Sequence, residues 1–267
     1  MQEECLICKA PLEYLDTDVL MECAICHKQE PSKTRCVNGH YVCSECHTSG
    51  MDAIIAHCLH TESKDPVAIL EQMMSMPFCH MHGPEHHVMV GAALLAAYHN
   101  AGGELDLPKA LSEMYSRGKA VPGGACGFWG ACGAGLSAGM YMAIATGSTP
   151  LANEAWGLSN QMTARALGSI GAVGGPRCCK RDSYLAIREA VQFTAEQLGV
   201  TMELQPILCT RSAQNNQCIK MRCPFKLKAE LPKEETLEVI EEVRMLKENP
   251  SKGKRYQDVD TMMEDLL

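Results

Sequence analysis

Residues 86–100 read HHVMVGAALLAAYHN, a run dominated by small and aliphatic side chains and longer than an ordinary strand. Pro84 stands just before the run, and Gly102 and Gly103 follow it. Proline is favoured in the first turn of a helix and glycine just beyond its end. The segment therefore predicts a mostly buried helix.

Other segments on both sides of this helix carry apolar residues at helical spacing. We expect helices at 51–60, 66–76, 107–117, 153–167 and 182–198, the last with Asp182 as its N-cap. Residues 123–147 are rich in small residues, so a helix there can approach a neighbour or a cofactor closely. Later segments predict a short strand at 202–208 and a helix at 234–247.

Changes in composition divide the chain into four parts. Paired cysteines dominate a zinc-binding module at 1–50, and helical periodicity defines a Cys/His domain at 51–200. A Cys-bearing strand and loop follow at 201–230, and the charged tail occupies 231–267.

Bulk composition limits the classes of function. A formal net charge of -8 argues against a nucleic-acid-binding surface, which needs concentrated Lys and Arg. The N-terminus lacks the pattern of a secretory signal, and no apolar run is long enough for a membrane span, so we expect a cytoplasmic protein. The 16 cysteines then indicate metal or redox chemistry, because reducing compartments disfavour disulfides.

The first 46 residues contain eight potential metal ligands in closely spaced pairs. They are Cys5, Cys8, Cys23, Cys26, Cys36, His40, Cys43 and Cys46. A Cys-x2-Cys turn places two thiolates on one side of a knuckle, and two knuckles complete a tetrahedral zinc site. The spacing therefore predicts two structural zinc ions, with either sequential or interleaved pairing.

The run CVNGHYVCSEC, residues 36–46, resembles the centre of RING-type cross-brace domains. The resemblance implies interleaving, with Cys5, Cys8, Cys36 and His40 in one site. Cys23, Cys26, Cys43 and Cys46 then form the other. One cysteine pair lies upstream here where a RING has it downstream, so ubiquitin-ligase activity is not carried over.

A second set of ligand-type residues lies in the helical part. Residues 78–87 read FCHMHGPEHH and include His82, His86 and His87 as metal-ligand candidates. Cys126, Cys132, Cys178 and Cys179 stand near glycines or at expected helix starts, where the helix dipole favours a thiolate. We expect these residues to converge on one metal or cluster, with catalytic roles for His86, Cys132, Cys178 and Cys179. The alternative is that the cysteines are buried and inert.

Three further cysteines follow the predicted strand, as Cys209-x8-Cys218-x4-Cys223-Pro224. They are compatible with a [4Fe–4S] cluster whose fourth ligand is Cys178 or Cys179, or with an open iron that acts as a Lewis acid. Cys126 is a further candidate for cofactor binding. A third zinc site, another transition metal or a group of buried thiols are the alternatives.

Residues 77–200 resemble a domain family of unknown function from anaerobic bacteria and methanogens, sometimes attached to radical-SAM or methyltransferase modules. The matching stretches are FCHMHGPEHHVMVGAALLAAYHNAGG, VPGGACGFWGACGAGLSAG and GGPRCCKRDSYLAIREA. The segment after Cys132 and the late Cys179 are remotely similar to the redox-active family named for its C_GCAxxG_C_C pattern. These resemblances imply a small helical bundle and an anaerobe's redox or sulfur chemistry.

The fold class that we expect is mainly α: a helical bundle with a two-zinc cross-brace or zinc-ribbon module and a short Cys-bearing C-terminal segment. The first functional hypothesis is a metal- or iron–sulfur-dependent enzyme acting on a small anionic substrate held by Arg177, Lys180 and Arg181. A redox or sulfur-transfer protein is its expected partner. The second hypothesis is a non-enzymatic adaptor or metal sensor that binds a partner protein.

Overall fold

The computed structural model describes residues 5, 7, 8, 10–24, 27–47 and 52–226. Two strands come first, β1 (Leu12–Glu22) and β2 (Gln29–Cys36), and the rest is mainly helical. The helices are α1 (Ser44–His47), α2 (Asp52–His60), α3 (Pro66–Met74), α4 (His86–Asn100), α5 (Leu107–Lys119), α6 (Ala125–Phe128), α7 (Gly133–Ala145), α8 (Glu154–Val173) and α9 (Cys179–Leu198). This architecture confirms the expected fold class. None of the described helices combines the length and apolar character needed to cross a bilayer.

The N-terminal module is an antiparallel hairpin of β1 and β2, paired from Leu12 with Cys36 to Glu22 with Gln29. Most of its side chains are exposed or half-buried, and the exceptions include Cys23 and Cys36 at its ends. A hairpin with so little apolar burial is marginal by itself, so its order depends on what the cysteines bind.

Helix α4 is the centre of the helical part and spans the residues expected from the sequence. Its residues from His86 to Tyr98 are all buried, and α3, α5, α7 and α9 pack around it. The Ser137 hydroxyl of α7 accepts a hydrogen bond from the Gly91 backbone N–H at 2.8 Å, which fixes these two helices side by side. One turn further along α7, the buried hydroxyls of Tyr141 and Thr194 pair at 2.9 Å and join α7 to α9.

Several helix boundaries differ from the expected ones. Helix α9 begins at Cys179, so Asp182 lies in its first turn and is not the N-cap. The carboxylate instead accepts the Cys178 backbone N–H at 3.4 Å and the Arg181 Nε–H at 2.9 Å. In the glycine-rich segment, Gly124 and Gly130 have positive φ angles of 84° and 67°, so the short α6 is separated from α7.

The strand expected at 202–208 is absent from the structure, where this stretch is extended without regular pairing. Its backbone instead runs beside the start of α3: Glu203 N–H bonds Lys64 O at 2.9 Å and Gln205 N–H bonds an Asp65 carboxylate oxygen at 3.2 Å. This path carries the following cysteines back towards the start of α9.

The described residues belong to one compact unit, Met1–Lys226. The helix expected at 234–247 lies outside the described residues, and the division of the chain into four parts stays a prediction.

Candidate metal centres

Four residues of the N-terminal hairpin form the first group. Cys5, Cys8, Cys36 and His40 each offer one ligand atom, and these atoms all lie within 4.8 Å of one another. The Cys8 and Cys36 sulfurs are 3.8 Å apart, and His40 Nδ1 lies 3.2 Å from the former and 3.5 Å from the latter. Sulfurs bound to one zinc at ~2.3 Å are separated by about 3.8 Å in a tetrahedron. The group can therefore hold a single ion.

Local backbone geometry prepares these thiols for a cation. Backbone N–H groups of Ile7 and His40 point at the sulfurs of Cys5 and Cys36, at 3.4 and 3.3 Å. The backbone of Ala10, followed by the Asn38 amide, donates to Cys8 and lowers the pKa of its thiol to about 6. Such donors stabilise thiolate charge, as in other metal knuckles.

Cys23, Cys43 and Cys46 form a second group whose ligand atoms also lie within 4.8 Å of one another. The Cys43 N–H donates to the Cys23 sulfur at 3.3 Å, and the Cys46 N–H donates to the Cys43 sulfur at 3.5 Å. Cys26, the expected fourth ligand, lies outside the described residues. Both groups take ligands from the two sides of the hairpin, which is the interleaved arrangement. Both can hold a metal ion.

Four cysteines of the helical part surround a small enclosed cavity. Cys178 comes from the start of α9, and Cys209, Cys218 and Cys223 come from the returning segment. The space open to the centre of a water-sized group is about 20 Å³, somewhat more than one water needs. These cysteines are not among the described groups whose ligand atoms all lie within 4.8 Å of one another. Their sulfurs therefore face a common space without meeting at one point.

Hydrogen bonds connect this four-cysteine cavity to its surroundings. The Asn215 amide donates to the Cys178 sulfur at 3.5 Å, and its oxygen lies 3.4 Å from His82 Nε2. The Lys220 backbone N–H donates to the Cys218 sulfur at 3.4 Å. His82, predicted as a metal ligand, thus contacts the cavity through Asn215, a residue that the sequence gave no reason to select.

Cationic side chains also line the four-cysteine cavity. Lys180 and Arg181 are only 2% and 3% exposed, and Arg211 lies beside them. Arg181 pairs with Asp182 at 2.9 Å, and Arg211 pairs with Glu71 at 2.5 Å. We expected Lys180 and Arg181 to meet a substrate from solvent, but the fold buries both beside the cysteines.

Cys79, Glu85 and His86 form a third group within the 4.8 Å limit. The Lys180 ammonium lies among them: it donates to the Cys79 sulfur at 3.0 Å, to His86 Nε2 at 3.0 Å and to the His80 carbonyl oxygen at 2.8 Å. Burial, followed by the charge of Lys180, lowers the pKa of His86 to about 3. The ring is therefore neutral and accepts a hydrogen bond from the Lys180 ammonium, which supplies a positive charge where an ion would lie.

Cys126, Cys132 and Cys179 lie elsewhere, along a cleft beside α6. The Cys132 thiol donates to the Asp182 carboxylate at 3.9 Å, and the backbone N–H of Gly83 points at Cys179. Helix N–H groups lower the pKa of the Cys132 thiol as expected, but burial has a larger effect and raises it to about 12. Burial likewise raises the pKa of Cys179, so both thiols are neutral without a metal.

The candidate ligands that we expected to meet at one ion are thus distributed over three neighbouring sites. Cys178 faces the other three cysteines, His86 faces Lys180, and Cys126, Cys132 and Cys179 border the cleft. The ring of His87 has its Nδ1 bonded to the Val121 carbonyl at 3.0 Å. The metal and catalytic roles assigned to these residues from sequence stay predictions.

One comparison with known proteins matches the helical part of the chain. Neither a search of curated proteins nor a search of solved structures found a match. Residues 54–226, more than half of the chain, match a family of unknown function, and this range contains the bundle and the four-cysteine cavity of the present chain. The chain therefore belongs to the DUF5714 family.

Proposed function

We propose that this protein is a cytoplasmic, metal-dependent redox enzyme with an iron–sulfur cluster at Cys178, Cys209, Cys218 and Cys223. Two structural zinc ions would occupy the N-terminal groups. The observation that carries the proposal is that four thiols from two distant segments line one cavity, whose free space of about 20 Å³ would have to widen by rotation of the cysteine side chains to admit the cluster. Four cysteine ligands are the common donor set of [4Fe–4S] clusters.

The spacing of the four sulfurs favours a cluster over a single ion. The N-terminal sulfurs approach to 3.8 Å, the separation that one zinc requires. The cavity sulfurs do not share such a point. In a cluster each thiolate binds a different iron, so the ligands lie farther apart.

The charge around the cavity supports the same choice. A [4Fe–4S] cluster with four thiolates is a net anion, and transferring an anion into an apolar interior is costly unless cations lie near. Lys180 and Arg181 are buried at the cavity, and the direct hydrogen bonds of Lys180 go to a thiol, an imidazole and a carbonyl. The charge of Lys180 would stabilise the bound anion, whereas that of Arg181 is already matched by Asp182.

The donor set also selects the chemistry. A cluster with a thiolate on every iron supplies electron transfer, whereas Lewis-acid chemistry needs an open iron. The chain's own contribution is to exclude water, to hold positive charge beside the sulfurs, and to donate the Asn215 hydrogen bond to Cys178. A small anionic substrate would meet Arg177, which is partly exposed and lies two residues before α9. A redox or sulfur-transfer protein would exchange electrons or sulfur with this centre.

A second candidate is a partner-binding adaptor or metal sensor. The hairpin exposes apolar side chains, including Leu20 at 65% and Val37 at 54%, and such surfaces often contact other proteins. In this case the helical cysteines would hold zinc or no metal.

Anaerobic purification with metal and sulfide analysis separates the two candidates. We expect about four irons and four sulfides per chain in addition to zinc, with a broad absorption band that bleaches on reduction. The double variant C209A/C223A should lose the iron and keep the zinc. Cys58→Ala is a matched control, because it removes a thiol that does not line the cavity.

Far-UV circular dichroism of each variant verifies that the helical fold is retained. Zinc as the only metal in the native protein would support the adaptor or sensor. Iron retained by the folded double variant would contradict the assigned ligands.

A further inference from the structure

A second cavity, of about 450 Å³, lies between the hairpin and the helical part. We refer to it as the junction cavity. Strand β2 contributes one wall through residues such as Lys33, and the loop around α6 contributes another through Phe128 and Trp129. Cavities of this size hold small organic molecules, and they often form where two parts of a protein meet.

Aromatic and cationic side chains alternate at this cavity. Tyr14 and Phe128 stand with ring centroids 6.4 Å apart, one from the hairpin and one from α6. Lys33 lies 5.0 Å above the Phe128 ring, and Arg177 lies 5.4 Å from the Tyr14 ring while donating to its hydroxyl at 2.5 Å. Trp129, beside them, is 65% exposed. This arrangement offers flat surfaces for stacking and positive charges within reach of the stacked ring.

The balance of charge at the cavity favours an anion. Two of the charged residues that line it are already matched: Arg35 bonds Glu13 at 2.6 Å, and Glu30 bonds Tyr41 and Lys28. The hydrogen bond of Lys33 goes to the Asp16 carbonyl oxygen, and among the described residues no carboxylate forms an ion pair with it, so Lys33 and Arg177 together outweigh the Asp18 carboxylate that also lines the cavity. Arg177 presents a planar guanidinium, which suits a phosphate or carboxylate.

The junction cavity also borders the four-cysteine cavity. Cys179 lines the former and the preceding Cys178 lines the latter. His82 lines the junction cavity too, and Asn215 links its ring to the Cys178 sulfur through contacts of 3.4 and 3.5 Å. A molecule in the junction cavity therefore lies next to the proposed redox centre.

We infer that the junction cavity binds a nucleotide-sized planar anion, a molecule with a flat heteroaromatic ring and a phosphate. The ring stacks among Tyr14, Phe128 and Trp129, and the phosphate meets Arg177 and Lys33. Stacking on aromatic side chains favours binding of a flat base, and the arginine adds charge-assisted hydrogen bonds. The binding site stands without the cluster; only the role of the bound molecule as the redox substrate rests on the proposed function.

Tryptophan fluorescence tests the inference directly, because the chain has two tryptophans and only Trp129 lines the cavity. In the Trp156→Phe protein, titration with AMP or UMP should change the Trp129 emission with saturation below about 1 mM. Adenosine and inorganic phosphate, which each carry half of the recognised chemistry, should bind at least tenfold more weakly. Calorimetry on the native protein gives the affinity independently.

Variants locate the site. Arg177→Gln and Phe128→Leu should each weaken AMP or UMP binding tenfold or more. Lys119→Gln is the matched control, since Lys119 also lies over an aromatic ring, Tyr115, but does not line the cavity, and it should change the affinity less than twofold. Circular dichroism confirms the fold of each variant.

Repeating the titration in iron-free C209A/C223A protein separates this inference from the proposed function. Binding that persists there supports the junction cavity whether or not a cluster is present. Failure of both nucleotides to bind native protein, or equal affinities in folded Arg177→Gln, Phe128→Leu and native proteins, would overturn the inference even if the iron is retained.

Discussion

The hairpin and the bundle use cysteine in opposite ways. In the hairpin, thiols close in sequence meet at points that fit one ion, and few apolar side chains support them. In the bundle, thiols distant in sequence surround a cavity that a large apolar core has already shaped. A bound metal would therefore organise the chain in the first region, whereas in the second region the chain would organise the proposed metal site.

This difference separates two sources of stability. Structural zinc sites supply folding free energy directly, while core helices gain theirs from buried apolar surface. Perturbations that act on one source should leave the other region largely intact, and the following four predictions test that division.

Metal loss from the hairpin should have the largest effect. Binding of structural zinc contributes on the order of 10–16 kcal/mol in small zinc modules, so the C36A/C43A variant should lose hairpin order. Hydrogen exchange should show amides of Leu12–Glu22 unprotected, while amides of His86–Asn100 stay protected. Continued protection of the hairpin in this variant would show that the metal is dispensable there.

Truncation of a core side chain should have the next largest effect, and it should destabilise the bundle rather than the hairpin. Leu94 is fully buried in α4, and Leu94→Ala should lower the free energy of unfolding by about 2–5 kcal/mol. Urea unfolding followed by circular dichroism measures this change. The exposed Leu20→Ala in β1 is the control, for which we expect a change within about 0.5 kcal/mol. Zinc content should be unaffected by either substitution, and loss of zinc in Leu94→Ala would couple the two regions.

Acid should destabilise the bundle through His86. Its pKa is about 3 in the folded chain and about 6.5 when unfolded, so the unfolded state binds more protons between these values. The contribution of His86 to the free energy of unfolding is therefore fully present above about pH 6.5 and is lost as the pH falls towards 3. From pH 7 to 5, native protein should lose about 2 kcal/mol more than His86→Gln, measured by urea unfolding. Equal pH slopes for the two proteins would show that the pKa of His86 is not lowered in the folded state.

The smallest effect concerns the tuning of the four-cysteine centre. Hydrogen bonds to ligand sulfurs stabilise the reduced, more negative state and raise the potential. Asn215→Leu removes the donor to Cys178, so the reduction potential should fall by roughly 40 mV, for a hydrogen bond of ~1 kcal/mol. A redox titration followed by electron paramagnetic resonance measures the shift. An unchanged or raised potential, with iron retained, would remove Asn215 from the centre.

Features that depend on residues close together in the sequence are predicted well. Helix α4 follows from its apolar run and flanking breakers, and the knuckles of the hairpin follow from Cys-x2-Cys repeats. Both signals lie within about fifteen residues, over which backbone geometry and pattern are closely linked. The strand expected at 202–208 is wrong because Pro206 removes an N–H and two of the remaining donors, the N–H groups of Glu203 and Gln205, bond Lys64 and Asp65.

The arrangement around the bundle cysteines depends on packing that sequence spacing does not reveal. Cys178, and not Cys179, lines the same cavity as Cys209, and the position at which α9 begins decides this. The predicted N-cap at Asp182 places the start of α9 too late in the chain. Lys180 was recognised as a cation, but its burial beside Cys79 follows from the packing of α9 against the loop before α4. No pattern distinguishes a buried lysine from an exposed one in advance.

The origin of the four cavity cysteines has a consequence for how the protein matures. Three of them come from the segment after α9, so the pocket exists only once that helix has docked. Zinc can be captured by the hairpin while later residues are still being synthesised. The proposed cluster would instead have to be acquired by a finished bundle, so protein produced without iron should be folded and colourless.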